Sequence, residues 1–377
     1  MTSLFKLLLV TSLFHMSCSD GARTVNDRNP EKQTQSSQNN IHDKKLSSLE
    51  KKKINHNKLP QEEVSLTPLP TCGLRNLGNT CFANASLNLL FSSSTFQKTL
   101  KSELVKEERE PGDQFAARKQ LQEAARALNK ARQEKKEALH DELSEFFDVY
   151  ERTRKLIKGS ELVGSVDKVR RDQADTNEFI TDIFDFLPIE PLLTFAYNEF
   201  IDKSVKFFST QPLQKLELPL SGKPDNIQSL INKMFLPAPM VGNNQVENSK
   251  GVQMDSIRYE AIEDPLPRSL FISLKRFAYD GAVKKLFDRI IPDKNIEIKT
   301  KNRKDIKQVS TQQYTLKGIA VHSGATMHSG HYYAYIYDGT KNTWILFNDS
   351  SVSSVDEKAV FSDATENAYV YLYEKKQ

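Results

Sequence analysis

Apolar residues recur along this chain first with a helical period and then with an alternating one. Residues 82–91 form an apolar run behind a Gly- and Asn-rich turn, and Asn79 or Thr80 is placed to cap that run as a helix. Residues 100–156 are rich in Ala, Glu, Lys, Arg and Leu and contain one breaker, Pro111-Gly112. Beyond it Leu121, Ala125 and Leu128, then Leu139, Leu143, Phe146 and Tyr150, keep helical spacing. That spacing predicts two long helices with their charges on a solvated face. Residues 171–187 predict a further helix with Phe179, Ile183, Phe184 and Leu187 on one side. From Val205 onward the period falls to two. Residues 216–220, 270–277, 314–322, 331–337, 343–347 and 368–373 then predict strands of one largely antiparallel sheet. The expected fold class is α+β, a helical lobe and a sheet lobe with a cleft between them.

The first part of the chain lacks such a pattern. Lys6 precedes the apolar stretch 7–14, and small residues follow it to Ser19, which reads as a removable secretory signal over 1–19. That stretch is too short to span a bilayer. Residues 20–66 run through Asn, Gln, Ser, Lys and Glu without aromatics and predict a disordered tether, leaving 67–377 for the folded domain. Composition narrows the rest. The 377 residues carry 53 basic and 49 acidic side chains, net +4, with no compact basic patch interleaved with aromatics, so no nucleic-acid role follows. Cys18, Cys72 and Cys81 are the only cysteines, so neither a disulfide framework nor a four-cysteine zinc site can be built, and no cofactor or metal is expected.

One cysteine is placed for reactivity. Cys81 follows the turn Gly73-Leu-Arg-Asn-Leu-Gly-Asn-Thr80 and opens the predicted helix, where unpaired N–H groups and the macrodipole favour a thiolate. A cysteine taken alone at such a place is more often just a small buried residue. Two late strands change that reading: Gly330-His-Tyr-Tyr-Ala-Tyr335 and Trp344-Ile-Leu-Phe-Asn-Asp-Ser350, joined by a short turn, bring His331 and Asn348 together at one end of the pair. Cysteine on an early helix, histidine on a late strand and Asn just beyond it is the chain order of papain-like thiol hydrolases. Cys81 would attack, His331 would take and return the proton, and Asn348 would hold the imidazole tautomer. His322 and His328 compete for the base role, but the loop position of His328 gives it no fixed orientation and no aligned partner.

The segment Gly73 to Asn84 resembles the Cys box of the ubiquitin-specific protease family, Gly-Leu-x-Asn-Leu-Gly-Asn-Thr-Cys-Tyr/Phe-Met-Asn. Residues 314–322, Gly330-His-Tyr332 and Phe347-Asn-Asp-Ser350 resemble its His box. Gln173-Ala-Asp-Thr-Asn-Glu-Phe179 is similar to the family's Gln-x-Asp-Ala-x-Glu-Phe helix, Leu274-Lys-Arg-Phe277 to a strand before its final sheet, and residues 368–373 to its closing strand. The resemblance implies a helical thumb on an antiparallel β palm, with Cys81 and His331 on opposite cleft walls that close when the lobes meet. It implies hydrolysis of the bond after the C-terminal glycine of ubiquitin, by a monomer. Asn76 becomes the side-chain oxyanion donor beside the Cys81 N–H; without the motif it is a turn former. Asp349 becomes a support for the ring or for a bound water, and Asp175 and Glu178, three apart and so on one helix face, become the carboxylates that meet the arginines of ubiquitin's tail.

The chain also departs from that family. The interval between the predicted strands at 216–220 and 270–277 is short and holds no cysteine, so the fingers extension is expected to be shortened and zinc-free. This keeps two alternatives open: a catalytically silent ubiquitin-binding module, and a protease for another modifier such as the neddylation modifier or SUMO. The leader adds an expectation of secretion, with action in a host cytosol as a bacterial or parasite effector.

Overall fold

The computed structural model describes residues 69–102, 112–136, 138–158, 173–187, 189–208, 211–279, 283–326 and 329–376. The secretory leader, the tether and His328 lie outside the described residues.

The helical half follows the apolar spacing. Helix α1 (Cys81–Ser92) is buried along its whole length, as a helix with apolar or small residues on every side must be. Helix α2 (Ser94–Lys101) starts where the Ser93 hydroxyl accepts the Phe96 N–H. The two expected long helices are α3 (Gly112–Gln133) and α4 (Leu139–Lys158). Leu121, Ala125 and Leu128 of the first and Leu143, Phe146 and Tyr150 of the second face the core. Their charges do not all lie on a solvated face: Arg132 and Glu151 are buried. Helix α5 (Thr176–Phe186) begins later than the apolar pattern suggested. Asp175 is held in extended backbone, with its carboxylate on the Asn177 and Glu178 N–H groups, so Gln173 to Asp175 lead into the helix and are not part of it.

The longer strands, in chain order, are β1 (Leu192–Phe200), β2 (Leu216–Pro219), β3 (Ser256–Glu263), β4 (Ser269–Lys275) and β5 (Asn295–Asn302). There follow β6 (Asp305–Thr326), β7 (Ser329–Asp338), β8 (Thr343–Asn348), β9 (Ser351–Val355) and β10 (Ala368–Lys375). The sheet runs β9-β8-β7-β6-β5-β3-β1, and β6 also pairs with β10, which pairs with β4. Most pairs are antiparallel, but β2 runs parallel to β4 and β5 meets β3 in parallel. The sheet therefore starts earlier than expected, at β1, whose residues are buried on both faces and show no alternation. Helices α6 (Ile227–Met234) and α7 (Glu357–Asn367) complete the chain. The interval between β2 and β4 holds α6, β3 and several very short strands.

Strand alternation divides two cores. On one face Tyr332, Ala334, Ile336, Phe347, Val370 and Leu372 pack with α1 and α3 to α5; on the other, Ile319, Tyr335, Trp344 and Tyr371 pack with Val360 and Ala364 of α7. Each fully buried Leu or Phe contributes roughly 1.5–3 kcal/mol. The first core is shared by both halves, so α1 sits directly on β7 and the lobes are already in contact. The expectation that Cys81 and His331 meet only on closure does not describe this state.

Candidate active site

Cys81 is the first residue of α1 and is buried. Thr80 precedes it, yet its hydroxyl makes no cap bond to the helix, unlike the expected capping by Asn79 or Thr80. The Thr80 hydroxyl turns back instead, accepting from the Leu77 N–H at 2.9 Å and donating to Asn76 Oδ1 at 3.3 Å. Asn76 Oδ1 also accepts from the Gly78 and Thr80 N–H groups, at 3.0 and 3.2 Å. The oxygen of Asn76 thus forms the turn, and its nitrogen is left pointing away from it.

That nitrogen reaches the sheet. Asn76 Nδ2 donates to Asp349 Oδ2 at 3.0 Å, and Asn84 Nδ2 of α1 donates to Asp349 Oδ1 at 2.8 Å. The Asp349 carbonyl accepts the Leu74 N–H at 2.9 Å. Asp349 sits in the left-handed region (φ +50°) at the turn from β8 to β9, which aims its side chain at the Cys-bearing segment. The approach is close: a Cβ on Gly73 would lie 2.1 Å from the Asp349 carbonyl oxygen. Asp349 therefore joins the two halves, and its Oδ2 stays 4.0 Å from His331 Nε2, beyond direct support of the ring.

His331 lies on β7 opposite Ser323 of β6, beside a register shift. Its Nε2 donates to Asn348 Oδ1 at 2.6 Å, which fixes one tautomer and leaves Nδ1 for the sulfur. The imidazole is pushed up to about 9, chiefly by hydrogen bonding to Cys81; burial works against this, and the Asn348 bond and the charges of Cys81 and Asp349 work with it. A ring that holds its proton so firmly beside a sulfur is suited to deliver that proton to a leaving group.

Sequence reasoning passed over Gln173. Its Nε2 lies 3.0 Å from the Gly330 carbonyl, to which it donates, and 3.9 Å from Cys81 Sγ, so one amide spans both walls of the site. The motif that contains it had drawn attention only to its carboxylates. Those are placed differently from expectation. Asp175 caps α5 and its Oδ2 accepts the Tyr369 hydroxyl at 2.7 Å; burial raises its pKa. Glu178 is exposed, and its Oε1 pairs with Arg154 Nη2 at 2.9 Å. The two do not share a helix face, because only Glu178 is in the helix.

His322 is excluded as the base by its surroundings. It is fully buried between the Phe277 and Tyr332 rings, and burial first, then Lys285, hold it down to about 4. Lys285 itself donates to the His322 and Gly324 carbonyls at 2.8 and 2.7 Å, behind the turn that leads to His331. Among the described residues no cluster of His, Cys, Asp and Glu side chains could hold a metal.

The chain with this grouping of Cys81, His331 and Asn348 matches, over residues 72–373, a family profile described as ubiquitin carboxyl-terminal hydrolase. The chain belongs to the ubiquitin carboxyl-terminal hydrolase family. Membership makes the chain a thiol-dependent hydrolase and a cysteine deubiquitinase. It is 24% identical to ubiquitin carboxyl-terminal hydrolase 14 of Caenorhabditis elegans, over 87% of this chain and 77% of that protein. It is 25% identical to ubiquitin hydrolase B of Dictyostelium discoideum, over 45% of this chain and 36% of that protein. The SAGA Ubp8/Sgf11/Sus1/Sgf73 DUB module bound to ubiquitin aldehyde shares the fold, with a TM-score of 0.64 at 20% identity over 91% of this chain and 77% of the solved one.

Proposed function

We propose that Cys81 is the nucleophile, His331 its general base and acid, and Asn348 the residue that holds the ring. The observation that carries this reading is the 2.6 Å bond from His331 Nε2 to Asn348, which leaves Nδ1 for Cys81. In this reading Cys81 attacks the carbonyl carbon of the tail glycine as a thiolate. His331 gives its proton to the leaving amine and then draws one from water to release the tail. The oxyanion takes the Cys81 N–H and the second hydrogen of Asn76 Nδ2, whose first is committed to Asp349. Asp349 acts as a positioning residue for Asn76, and Gln173 holds the Gly330 carbonyl beside the sulfur.

The substrate in this proposal is ubiquitin, and by its similar tail the neddylation modifier, ahead of SUMO. In this reading Glu178 meets a tail arginine, since Asp175 is occupied by its own helix and Tyr369. A ubiquitin probe with a C-terminal electrophile tests the whole reading. One covalent adduct on Cys81 is expected; an adduct elsewhere, or none, would remove Cys81 as the nucleophile, and equal labelling by a SUMO probe would remove the specificity. The apolar leader of the sequence supports one further proposal, export and action in the cytosol of a host cell. A tagged copy that its own organism never delivers to host cytosol would end that proposal.

A further inference from the structure

One guanidinium is buried behind the active site with donors left over. Arg132, near the end of α3, has no exposed surface. Its Nη2 donates to Asn88 Oδ1 at 2.6 Å and to the Cys72 carbonyl at 3.3 Å, while Nε and Nη1 have no hydrogen-bond partner among the described residues. The rings of Phe91 and Phe347 lie with centroids 5.7 Å from its central carbon. Burial pulls the guanidinium down to about 10, and among the described residues Cys72 is the titratable neighbour that acts against this. A buried cation with spare donors and, among the described residues, no carboxylate beside it calls for an anion.

The group beside it that can become one is Cys72. Cys72 is half-buried, and its sulfur lies 3.3 Å from the Arg132 carbonyl, to which the thiol donates. A thiol is a poor acceptor for a guanidinium. An oxidised sulfur carries oxygens that are good acceptors.

We propose that Cys72 is a modification site, oxidised by a hydroperoxide, whose oxidised sulfur supplies the acceptors that Arg132 lacks. The Cys72 sulfur attacks the terminal peroxide oxygen, the S–O bond forming as the O–O bond breaks. The alcohol, or water from hydrogen peroxide, leaves with the thiol proton. Sulfur is oxidised by two electrons and the peroxide reduced by two, giving a sulfenic acid; a second equivalent gives a sulfinate, whose charge faces the buried guanidinium. The site adjoins the catalytic segment at two points. Gly73 is pressed against the Asp349 carbonyl, and Phe347, over which Arg132 lies, precedes Asn348.

The test uses the full-length Cys81→Ala protein, so that the nucleophile of the reaction contributes nothing. It is treated with hydrogen peroxide at neutral pH in the presence of dimedone, and peptide mapping separates Cys72 from Cys18. Cys72 is expected to be labelled at least about tenfold faster than N-acetylcysteine, since an adjacent cation accelerates thiol oxidation. Arg132→Met should bring the rate down to that of the free thiol, and Arg132→Lys should restore part of it. Labelling of Cys72 at or below the free-thiol rate overturns the proposal, and that measurement stands even if Arg132→Met fails to fold. A folded Arg132→Met protein with an unchanged rate overturns it as well.

Discussion

Asn76 and Asp349 are joined by a 3.0 Å hydrogen bond, from the amide nitrogen of a loop before α1 to the carboxylate of a turn after β8. The bond ties the segment that carries the sulfur to the sheet that carries the imidazole. It also fixes which way the Asn76 amide faces, since its oxygen is used by the Gly78 and Thr80 N–H groups.

If Asn76 donates to the oxyanion, Asn76→Ala should lower kcat by about 10²–10³ with little change in KM. Asp349→Ala should lower kcat less, because the amide loses its anchor and not its donor. The double variant should then be no worse than Asn76→Ala alone, as residues acting through one another are not additive. Steady-state kinetics on a fluorogenic ubiquitin substrate decide it; losses that multiply would separate the two roles.

For the nucleophile, Cys81→Ala should abolish turnover while binding of ubiquitin is retained, and His331→Ala should do nearly the same. Asn348→Ala should be milder, since it removes orientation and leaves the base. Cys72→Ala should keep substantial turnover. Loss of activity in Cys72→Ala with retention in Cys81→Ala would reverse the assignment.

His331 fixes the sign of the pH dependence. Its pKa in the fold, about 9, lies above the ordinary 6.5. The interaction that raises it is therefore fully present below about pH 6.5 and is lost as pH rises through about 9. The alkaline limb of kcat/KM should fall near pH 9. Because the Asn348 bond is one of the causes of the rise, Asn348→Ala should move that limb to lower pH. An unmoved limb in a variant that still turns over would show that Asn348 does not act on the ring.

Gly73 faces the Asp349 backbone across the join. A methyl group there would meet the carbonyl oxygen at 2.1 Å and Ser350 backbone carbon at 2.7 Å, neither of which can rotate away. Gly73→Ala should lower stability by about 1–3 kcal/mol, the usual cost of overpacking. Gly339→Ala, whose nearest neighbour is Tyr337 at 4.0 Å, is the control. Urea unfolding of both variants gives the comparison, and equal stabilities would mean that the Gly73 segment gives way.

The local periods of the chain made most of this fold legible. Leu143, Phe146 and Tyr150 announce α4, because one face of that helix meets a core and the other does not. Strand β1 was not legible, since burial of both its faces erases alternation. Arg132 reads as a surface charge because nothing local reveals that Phe91 and Phe347 enclose it. The contact of His331 with Asn348 was legible from the two joined strands that carry them. Gln173 was not, because its partners Gly330 and Cys81 are brought to it only by the packing of α1 on the sheet. Asp175 could have been read as a cap from its place before Thr176, Asn177 and Glu178, and the pull of a charged motif obscured it.

Recognition of the modifier's tail separates the two carboxylates. Asp175 spends one oxygen on the Asn177 and Glu178 N–H groups and the other on the Tyr369 hydroxyl, so its loss should be felt as loss of a cap, about 1 kcal/mol of stability for Asp175→Ala. Glu178 is exposed and paired with Arg154, so a tail arginine that meets it, as proposed, would share it with that residue. Exposed pairs of this kind contribute about 0.2–1 kcal/mol, so Glu178→Ala should raise KM for ubiquitin by a few-fold at most and leave kcat nearly unchanged. The effect should shrink in high salt, as screening requires. A SUMO substrate, whose tail lacks the arginines, should not register Glu178→Ala at all. Matched fluorogenic substrates at low and high salt test this: a KM change of the same size for both modifiers, or one indifferent to salt, would remove Glu178 from tail recognition.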